Sequence, residues 1–155
     1  MTTIEQLRDT GFPGLLAFYE EHLAQGVMPF WMEHCLDEEY GGLTNLVRDD
    51  GTVTSTDKFL WSQARALWTF SALYNEFDHD LRWLVPAKKT AEFLLSHGRE
   101  DSGRWYFCLH RDGSVKEPPA SIYVDGFAIY GLAEYYRATG DERAKTAALE
   151  TFRST

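Results

Sequence analysis

An internal repeat of 62 residues constrains the fold more than any other feature of this 155-residue sequence. The segment RDDGTV, which contains Gly51, recurs as RDGSV around Gly113, and 113 − 51 gives the offset of 62. The same offset aligns two pairs of aromatic residues, Trp61 with Tyr123 and Trp68 with Tyr130. A unit of this size cannot bury its own apolar face. The repeat therefore predicts several units stacked around a shared core.

Local patterns predict the elements within each unit. Apolar residues at helical spacing predict helices over about 14–34, 57–78, 81–96, 121–138 and 141–155. Turn residues predict a β-hairpin formed by 43–47 and 52–54, and a short strand over 105–110. Ser55, Thr56 and Asp57 are the predicted N-cap candidates of the second helix. We expect an all-α fold with short β-hairpins in the loops, in which residues 1–155 form one domain.

Helix pairs that stack in a ring make an α/α toroid, and its inner helices line a central pocket. A closed ring of six such units requires about 370 residues by repeat arithmetic. This chain holds two to three helical hairpins, so we expect it to be the N-terminal part of a larger barrel.

The second predicted helix carries Trp61, Arg65 and Trp68 at spacings of four and three, which places them on one stripe. The repeat places Tyr123 on a neighbouring inner helix, so Arg65 and Tyr123 are expected to face one cavity. Each candidate also has a structural interpretation. Arg65 could bridge helices, with Asp125 as its partner, and a core position is favoured for Trp68. Tyr123 could equally be a packed ring whose hydroxyl is satisfied by the backbone.

Composition excludes several classes of function. The net charge of −9 argues against nucleic acid or an acidic membrane surface as the main partner. No apolar run is long enough to span a membrane, and the N-terminus has no signal-peptide pattern, so we expect a cytoplasmic protein. Cys35 and Cys108 are expected to be free thiols. The five histidines show no metal-ligand spacing, so no metal is expected.

Several segments resemble the N-acylglucosamine 2-epimerase family. These are FWMEHCLDEEYGG, RDDGTV, KFLWSQARALWTFSALYNEF and SIYVDGFAIYGLAEYYRATGD. The resemblance implies an (α/α)6 barrel that epimerises or isomerises sugars by moving a proton at C2, without a metal or nicotinamide cofactor. It implies that Arg65 contacts the sugar near its carbonyl end and is catalytic, and that Tyr123 contacts the substrate. Trp61 is implied beside that arginine, and the acid/base histidines are implied in helices beyond Thr155.

Two alternative functions stay open on the sequence. A glycoside hydrolase or polysaccharide lyase on the same toroid would require two carboxylates about 5–10 Å apart, and Asp125 is the one inner-helix candidate. The other alternative is a non-catalytic fragment that binds carbohydrate or another protein. Such a fragment would self-associate, for example as a homodimer, because an open toroid exposes aromatic inner surface.

Overall fold

The computed structural model describes residues 11–155, and residues 1–10 of the predicted domain lie outside this part. The helices of the described chain are α1 Gly11–Glu21, α2 Met28–His34, α3 Leu60–Leu73, α4 Leu81–His97, α5 Ile122–Thr139 and α6 Glu142–Ser154. The π-helical turns His22–Val27 and Tyr74–Asp78 follow α1 and α3. The strands are β1 Leu46–Val47, β2 Val53–Ser55, β3 Lys58–Phe59, β4 Cys108–Leu109 and β5 Val115–Glu117. The predicted helical architecture with small hairpins is confirmed.

The helices α3 to α6 form two layers. α3 packs along α5 in the most extensive helix–helix contact of residues 11–155, while α4 packs on α3 and α6 packs on α5. Residues later in α3 contact residues later in α5. Arg65 lies against Phe127, and Asn75, in the turn just after α3, contacts Glu134. α3 and α5 are therefore parallel neighbours in one layer, and α4 and α6 form the second layer. This is the arrangement of inner and outer helices that the repeat predicts.

Close approach of the two inner helices depends on Gly131. A Cβ atom at this position would lie 2.3 Å from the carbonyl oxygen of Ala64. The apolar core fills the space between the inner and outer layers and under the hairpins. Its largest fully buried apolar side chains are Leu60, Leu67, Phe70, Trp83, Leu94, Trp105, Leu109 and Leu132.

The second predicted helix begins later than expected, at Leu60 rather than near 57. Its preceding residues form β3, which pairs antiparallel with β4, and β4 pairs with β5. The N-cap residue is Phe59, whose side chain makes no capping hydrogen bond, and the Leu60 N–H donates to the carbonyl of Phe107. The predicted caps in 55–57 are thus wrong, because a sheet contact from the next repeat satisfies the helix start. The predicted strand over 105–110 is shorter, since only Cys108–Leu109 keeps ladder pairing.

The repeat is visible in three dimensions at the tips of the two hairpins. A Cβ atom on Gly51 would lie 2.6 Å from the ring of His34, and one on Gly113 would lie 2.5 Å from the ring of His97. Both glycines have positive φ, 84° and 90°. Each hairpin tip therefore sits directly on the histidine at the end of the preceding helix, which requires glycine for both space and conformation.

A buried ion network holds the loop ends of the two units together. The Lys58 ammonium is fully buried, lies 3.0 Å from the Asp37 carboxylate, and donates to the carbonyls of Gly41 and Arg111. The Arg111 guanidinium donates to both oxygens of the same carboxylate, at 2.9 and 3.0 Å. Burial alone would raise the pKa of Asp37, but the hydrogen bonds from Arg111 and Lys58 outweigh it and lower the pKa to about 2.

Candidate functional site

The first candidate site is an open cavity of about 780 Å³ between α3 and α5. It is lined by Arg65, Trp68, Thr69, Ile122, Tyr123, Gly126, Phe127 and Tyr130. The structure thus brings Arg65 and Tyr123 to one cavity, as the repeat predicts. Helical spacing places these side chains on the faces of α3 and α5 that point away from the outer layer.

Arg65 is the cationic group of this cavity. Its guanidinium lies 5.6 Å from the ring of Phe127, within cation–π range, and the residue is exposed. None of the ion pairs formed among residues 11–155 includes Arg65. An arginine without a carboxylate partner offers its fork of N–H donors to an oxygen-rich ligand.

Asp125, the expected alternative partner of Arg65, points elsewhere. Its buried carboxylate accepts hydrogen bonds from Arg104 Nε at 2.9 Å and from the Trp105 backbone N–H at 3.1 Å. The interpretation of Arg65 and Asp125 as a structural bridge is therefore wrong. Asp125 anchors the segment before β4 to the first turn of α5. The one inner-helix carboxylate that a glycoside hydrolase could have used is therefore not available in the cavity.

Tyr123 stands at the rim of the first cavity. Its side chain is 75% exposed, and its backbone N–H is held by the Ser121 hydroxyl, which caps α5. The packed-ring interpretation of Tyr123 is therefore wrong for the described chain. The cap fixes the backbone of the first helical turn and leaves the phenol free to contact a ligand.

Trp61 belongs to a second cavity. This cavity, of about 730 Å³, lies between α3, α2 and the π-helical turn before α2, and its lining includes Trp31, Trp61, Arg65 and Phe107. Trp61 and Tyr123 therefore do not line the same cavity, whereas Arg65 lies at the border of both. This separation departs from the expectation of a single stripe, because successive turns of α3 face two neighbouring openings.

Trp68 forms the wall of the first cavity rather than part of the core. It is half-buried and stacks on Tyr130, with ring centroids 4.8 Å apart and planes inclined by 13°. The favoured core position for Trp68 is thus wrong. Since Tyr130 is the repeat equivalent of Trp68, the stack joins the same position of two successive units.

Three residues of structural importance were not singled out by the sequence patterns. Lys58 and Arg111 bind the buried Asp37 carboxylate, and His97 supports the second hairpin tip. The sequence did contain an indication of this role of His97, because His97 follows His34 by 63 residues, almost the repeat length. Nothing in the local sequence distinguishes Lys58 from an exposed lysine at the start of a helix.

Comparison with known proteins decides the family. The sequence profile of the N-acylglucosamine 2-epimerase (GlcNAc 2-epimerase) family matches residues 41–155, most of the chain. The chain belongs to this family. It is 33% identical over 135 residues to the cellobiose 2-epimerase of Bacteroides fragilis, covering 86% of this chain and 34% of that protein. It is 34% identical over 128 residues to the human N-acylglucosamine 2-epimerase, covering 80% of this chain and 30% of that protein.

Solved structures of relatives confirm the fold class. A cellobiose 2-epimerase from Bacillus thermoamylovorans matches with a TM-score of 0.81 and 26% identity, covering 92% of this chain and 37% of that one. A sugar epimerase from a ruminal bacterium matches with a TM-score of 0.84 and 27% identity, covering 90% and 36%. These neighbours have the (α/α)6 barrel fold, so the predicted architecture is confirmed. This family member spans about a third of the length of its relatives.

Three further observations concern metal binding, membrane-spanning helices and the two cysteines. Among residues 11–155, no group of three histidine, cysteine or carboxylate side chains is arranged to hold a metal ion. No helix in the same range is both long and apolar enough to cross a membrane. Cys35 and Cys108 are free and buried, and burial raises the pKa of each thiol to about 11.

Proposed function

We propose that this chain supplies the N-terminal part of the active site of a sugar 2-epimerase or aldose–ketose isomerase. The observation that carries the proposal is Arg65, an arginine without an ion-pair partner among residues 11–155, at the border of two cavities. Family membership supports a small-molecule sugar as the substrate. A ring-shaped ligand lined with hydroxyls suits a pocket that combines aromatic faces with guanidinium donors.

Arg65 has the properties that this chemistry requires of one group. Removal of the proton at C2 of an open-chain aldose gives an enediolate, so negative charge develops on the carbonyl oxygen. A guanidinium held beside an apolar ring stabilises that charge and stays protonated throughout. Arg65 is therefore proposed as the catalytic electrostatic group, with Tyr123 and Trp61 as substrate-binding residues on either side.

The proton shuttle needs groups other than Arg65, because an arginine does not titrate near neutrality. Histidine is the usual side chain for this task. No histidine from residues 11–155 lines either cavity. The acid and base are therefore assigned to a part of the barrel other than these two inner helices, and the described chain is a fragment of the complete site in this proposal.

The reduced cysteines support a cytoplasmic location. Cys35 and Cys108 are both fully buried as free thiols. Structural disulfides are typical of oxidising compartments, while unpaired buried thiols are ordinary in the reducing cytosol.

A chimeric enzyme tests the function. Residues 11–155 replace the matching third of the Bacteroides fragilis cellobiose 2-epimerase, and deuterium incorporation at C2 of cellobiose is followed by NMR in D2O. We expect exchange in the folded chimera. Arg65→Ala should lower its rate by about 10²- to 10³-fold, as loss of an oxyanion donor does. The exchange rate of Arg65→Lys should lie between those of the unsubstituted chimera and Arg65→Ala, because lysine keeps the charge but not the planar fork of donors.

The matched control is Arg153→Ala, which removes an exposed arginine from the outer helix α6, away from both cavities. It should leave the exchange rate unchanged. A chimera with native circular dichroism that shows no exchange, or one in which Arg65→Ala and Arg153→Ala exchange equally fast, would refute the proposal.

A further inference from the structure

Among the described residues that line the second cavity, Asn45 is the one with a side-chain amide. Asn45 is half-buried in the segment that leads into β1, and it shares the lining with Arg65 and with the rings of Trp31 and Trp61. Most of the other lining residues are apolar. An amide in such a lining can form a directional hydrogen bond to a ligand if its orientation is fixed.

The orientation of the Asn45 amide is set by Gln63 on α3. The Gln63 side chain is fully buried, its Oε1 accepts from the Leu43 N–H at 2.8 Å, and its Nε2 donates to the Leu43 carbonyl at 2.7 Å. Because a backbone N–H only donates and a carbonyl only accepts, these two bonds leave one orientation for the Gln63 amide. A Cβ atom on Gly42 would lie 2.6 Å from Gln63 Oε1, so the loop fits closely around this side chain.

Gln63 Nε2 also donates to the Asn45 side chain, with 3.4 Å between Nε2 and Asn45 Oδ1. Since Nε2 carries only donors, it faces the oxygen of the Asn45 amide rather than its nitrogen. The Asn45 Nδ2 group is therefore turned away from Gln63, and it donates to no other group within residues 11–155. This nitrogen is a donor available to a ligand of the second cavity.

The second repeat unit shows that the loop does not require the donors of Gln63. At the offset of 62, Gln63 is equivalent to Asp125, and Leu43 is equivalent to Trp105. The Asp125 carboxylate accepts from the Trp105 N–H at 3.1 Å. This repeats the contact between Gln63 and the Leu43 N–H. An acceptor alone is thus enough to anchor the loop to the inner helix.

The loop does not require the amide of Asn45 either. The equivalent residue in the second unit is Phe107, which packs against Phe59 with ring centroids 5.8 Å apart. The amide donors of Gln63 and the amide of Asn45 therefore occur together in the first unit, and neither occurs in the second. Anchoring of the loop explains neither group, whereas a hydrogen bond to a ligand explains both.

We propose that Asn45 is a substrate-binding residue whose Nδ2 donates a hydrogen bond to a hydroxyl oxygen of the sugar. Gln63 is the positioning residue that directs this donor to the second cavity. The inference rests on the proposed function, which places the sugar carbonyl at Arg65, on the border of the two cavities. A neutral donor to a hydroxyl that does not react binds substrate and transition state equally. Asn45 therefore contributes to affinity rather than to the rate of the chemical step.

Binding without turnover tests the role of Asn45. The protein is the chimera of residues 11–155 with the Bacteroides fragilis enzyme, and the probe is cellobiitol, the alditol of cellobiose. Cellobiitol keeps the hydroxyls but has no carbonyl, so it cannot react, and isothermal titration calorimetry gives its Kd. Asn45→Ala should raise this Kd by about 3- to 10-fold, as expected for the loss of one hydrogen bond.

The matched control is Asn75→Ala. It removes another half-buried asparagine amide, which donates to Glu134 in the turn after α3 and lines neither cavity. It should leave the Kd of cellobiitol unchanged.

A double-variant cycle tests the positioning role of Gln63. Gln63→Glu keeps an acceptor for the Leu43 N–H, as Asp125 provides in the second unit, but it cannot donate to Asn45. The Asn45 amide should then turn its nitrogen to the carboxylate and present its oxygen to the cavity. The Kd should therefore rise at least as much as in Asn45→Ala. In the Asn45→Ala background, Gln63→Glu should not change the Kd further, because its effect passes through Asn45.

The outcomes distinguish the role of Asn45 from the proposed function. Exchange at C2 together with an unchanged Kd in Asn45→Ala would overturn the role of Asn45 and leave the epimerase function standing. A higher Kd in Asn45→Ala, in a folded chimera without exchange, would support Asn45 and refute the function. A folded chimera that does not bind cellobiitol would overturn the inference. A Gln63→Glu effect of equal size with and without the Asn45 amide would overturn the positioning role, and if Gln63→Glu does not fold, Asn45→Ala alone decides.

Discussion

Replacement of Asp37 by asparagine should reveal how strongly the buried ion network holds the loops of the two units together. The Asp37 carboxylate has no exposed side-chain surface and bridges the equally buried Lys58 to Arg111. Asp37→Asn removes the negative charge while keeping the shape of the side chain. Breaking a buried pair in this way costs roughly 3–5 kcal/mol, because one charge is left uncompensated.

The pH dependence gives an independent magnitude for the same interaction. A pKa lowered from 3.8 to about 2 corresponds to about 2 kcal/mol of stability. Since the folded-state pKa of Asp37 is depressed, this contribution is fully present above pH 3.8 and is lost as the pH falls through 2. The difference in unfolding free energy between wild type and Asp37→Asn should shrink by that amount from pH 5 to pH 2.

The assay is urea denaturation followed by tryptophan fluorescence, at pH 7 and at steps from pH 5 to pH 2. Glu92→Gln is the matched control, because it neutralises a carboxylate in an exposed pair with Arg143. An exposed pair contributes about 1 kcal/mol or less. A loss of unfolding free energy in Asp37→Asn no larger than that in Glu92→Gln, or a loss that stays constant as the pH falls, would contradict a stabilising role of the buried carboxylate.

Two further predictions follow from packing and burial. Gly131→Ala should lower the free energy of unfolding by about 1–3 kcal/mol, because its Cβ would meet the Ala64 carbonyl, and urea denaturation measures this loss. An unchanged midpoint would show that α3 and α5 separate without cost. Cys35 and Cys108 should react with Ellman's reagent only when the chain unfolds, because both thiols are buried and their pKa values are raised to about 11. Rapid labelling of the native chain would contradict their burial.

Periodic features of the sequence were sufficient for the architecture. The 62-residue offset predicted that α3 and α5 are equivalent inner helices, and that Arg65 and Tyr123 share a cavity. Helical spacing is a local property, and each repeat unit presents the same local pattern. For that reason the pattern determines which faces of the helices are apolar and which elements recur.

The sequence patterns did not predict which residues of distant segments contact each other. Asp125 binds Arg104 rather than Arg65, because the chain before β4 crosses the start of α5. Trp68 stacks on Tyr130 at a cavity wall instead of entering the core, since its position on α3 faces the open side of the inner layer.

The sequence by itself therefore determined the repeat, the helix pairs and the family of this chain. Tertiary structure alone decided that Lys58 is buried and that Trp61 and Tyr123 line different cavities. The physical reason is that periodicity fixes the direction of a side chain relative to its own helix. What that side chain meets depends on how segments some 50–75 residues apart are brought together, as Asp37 and Arg111 are.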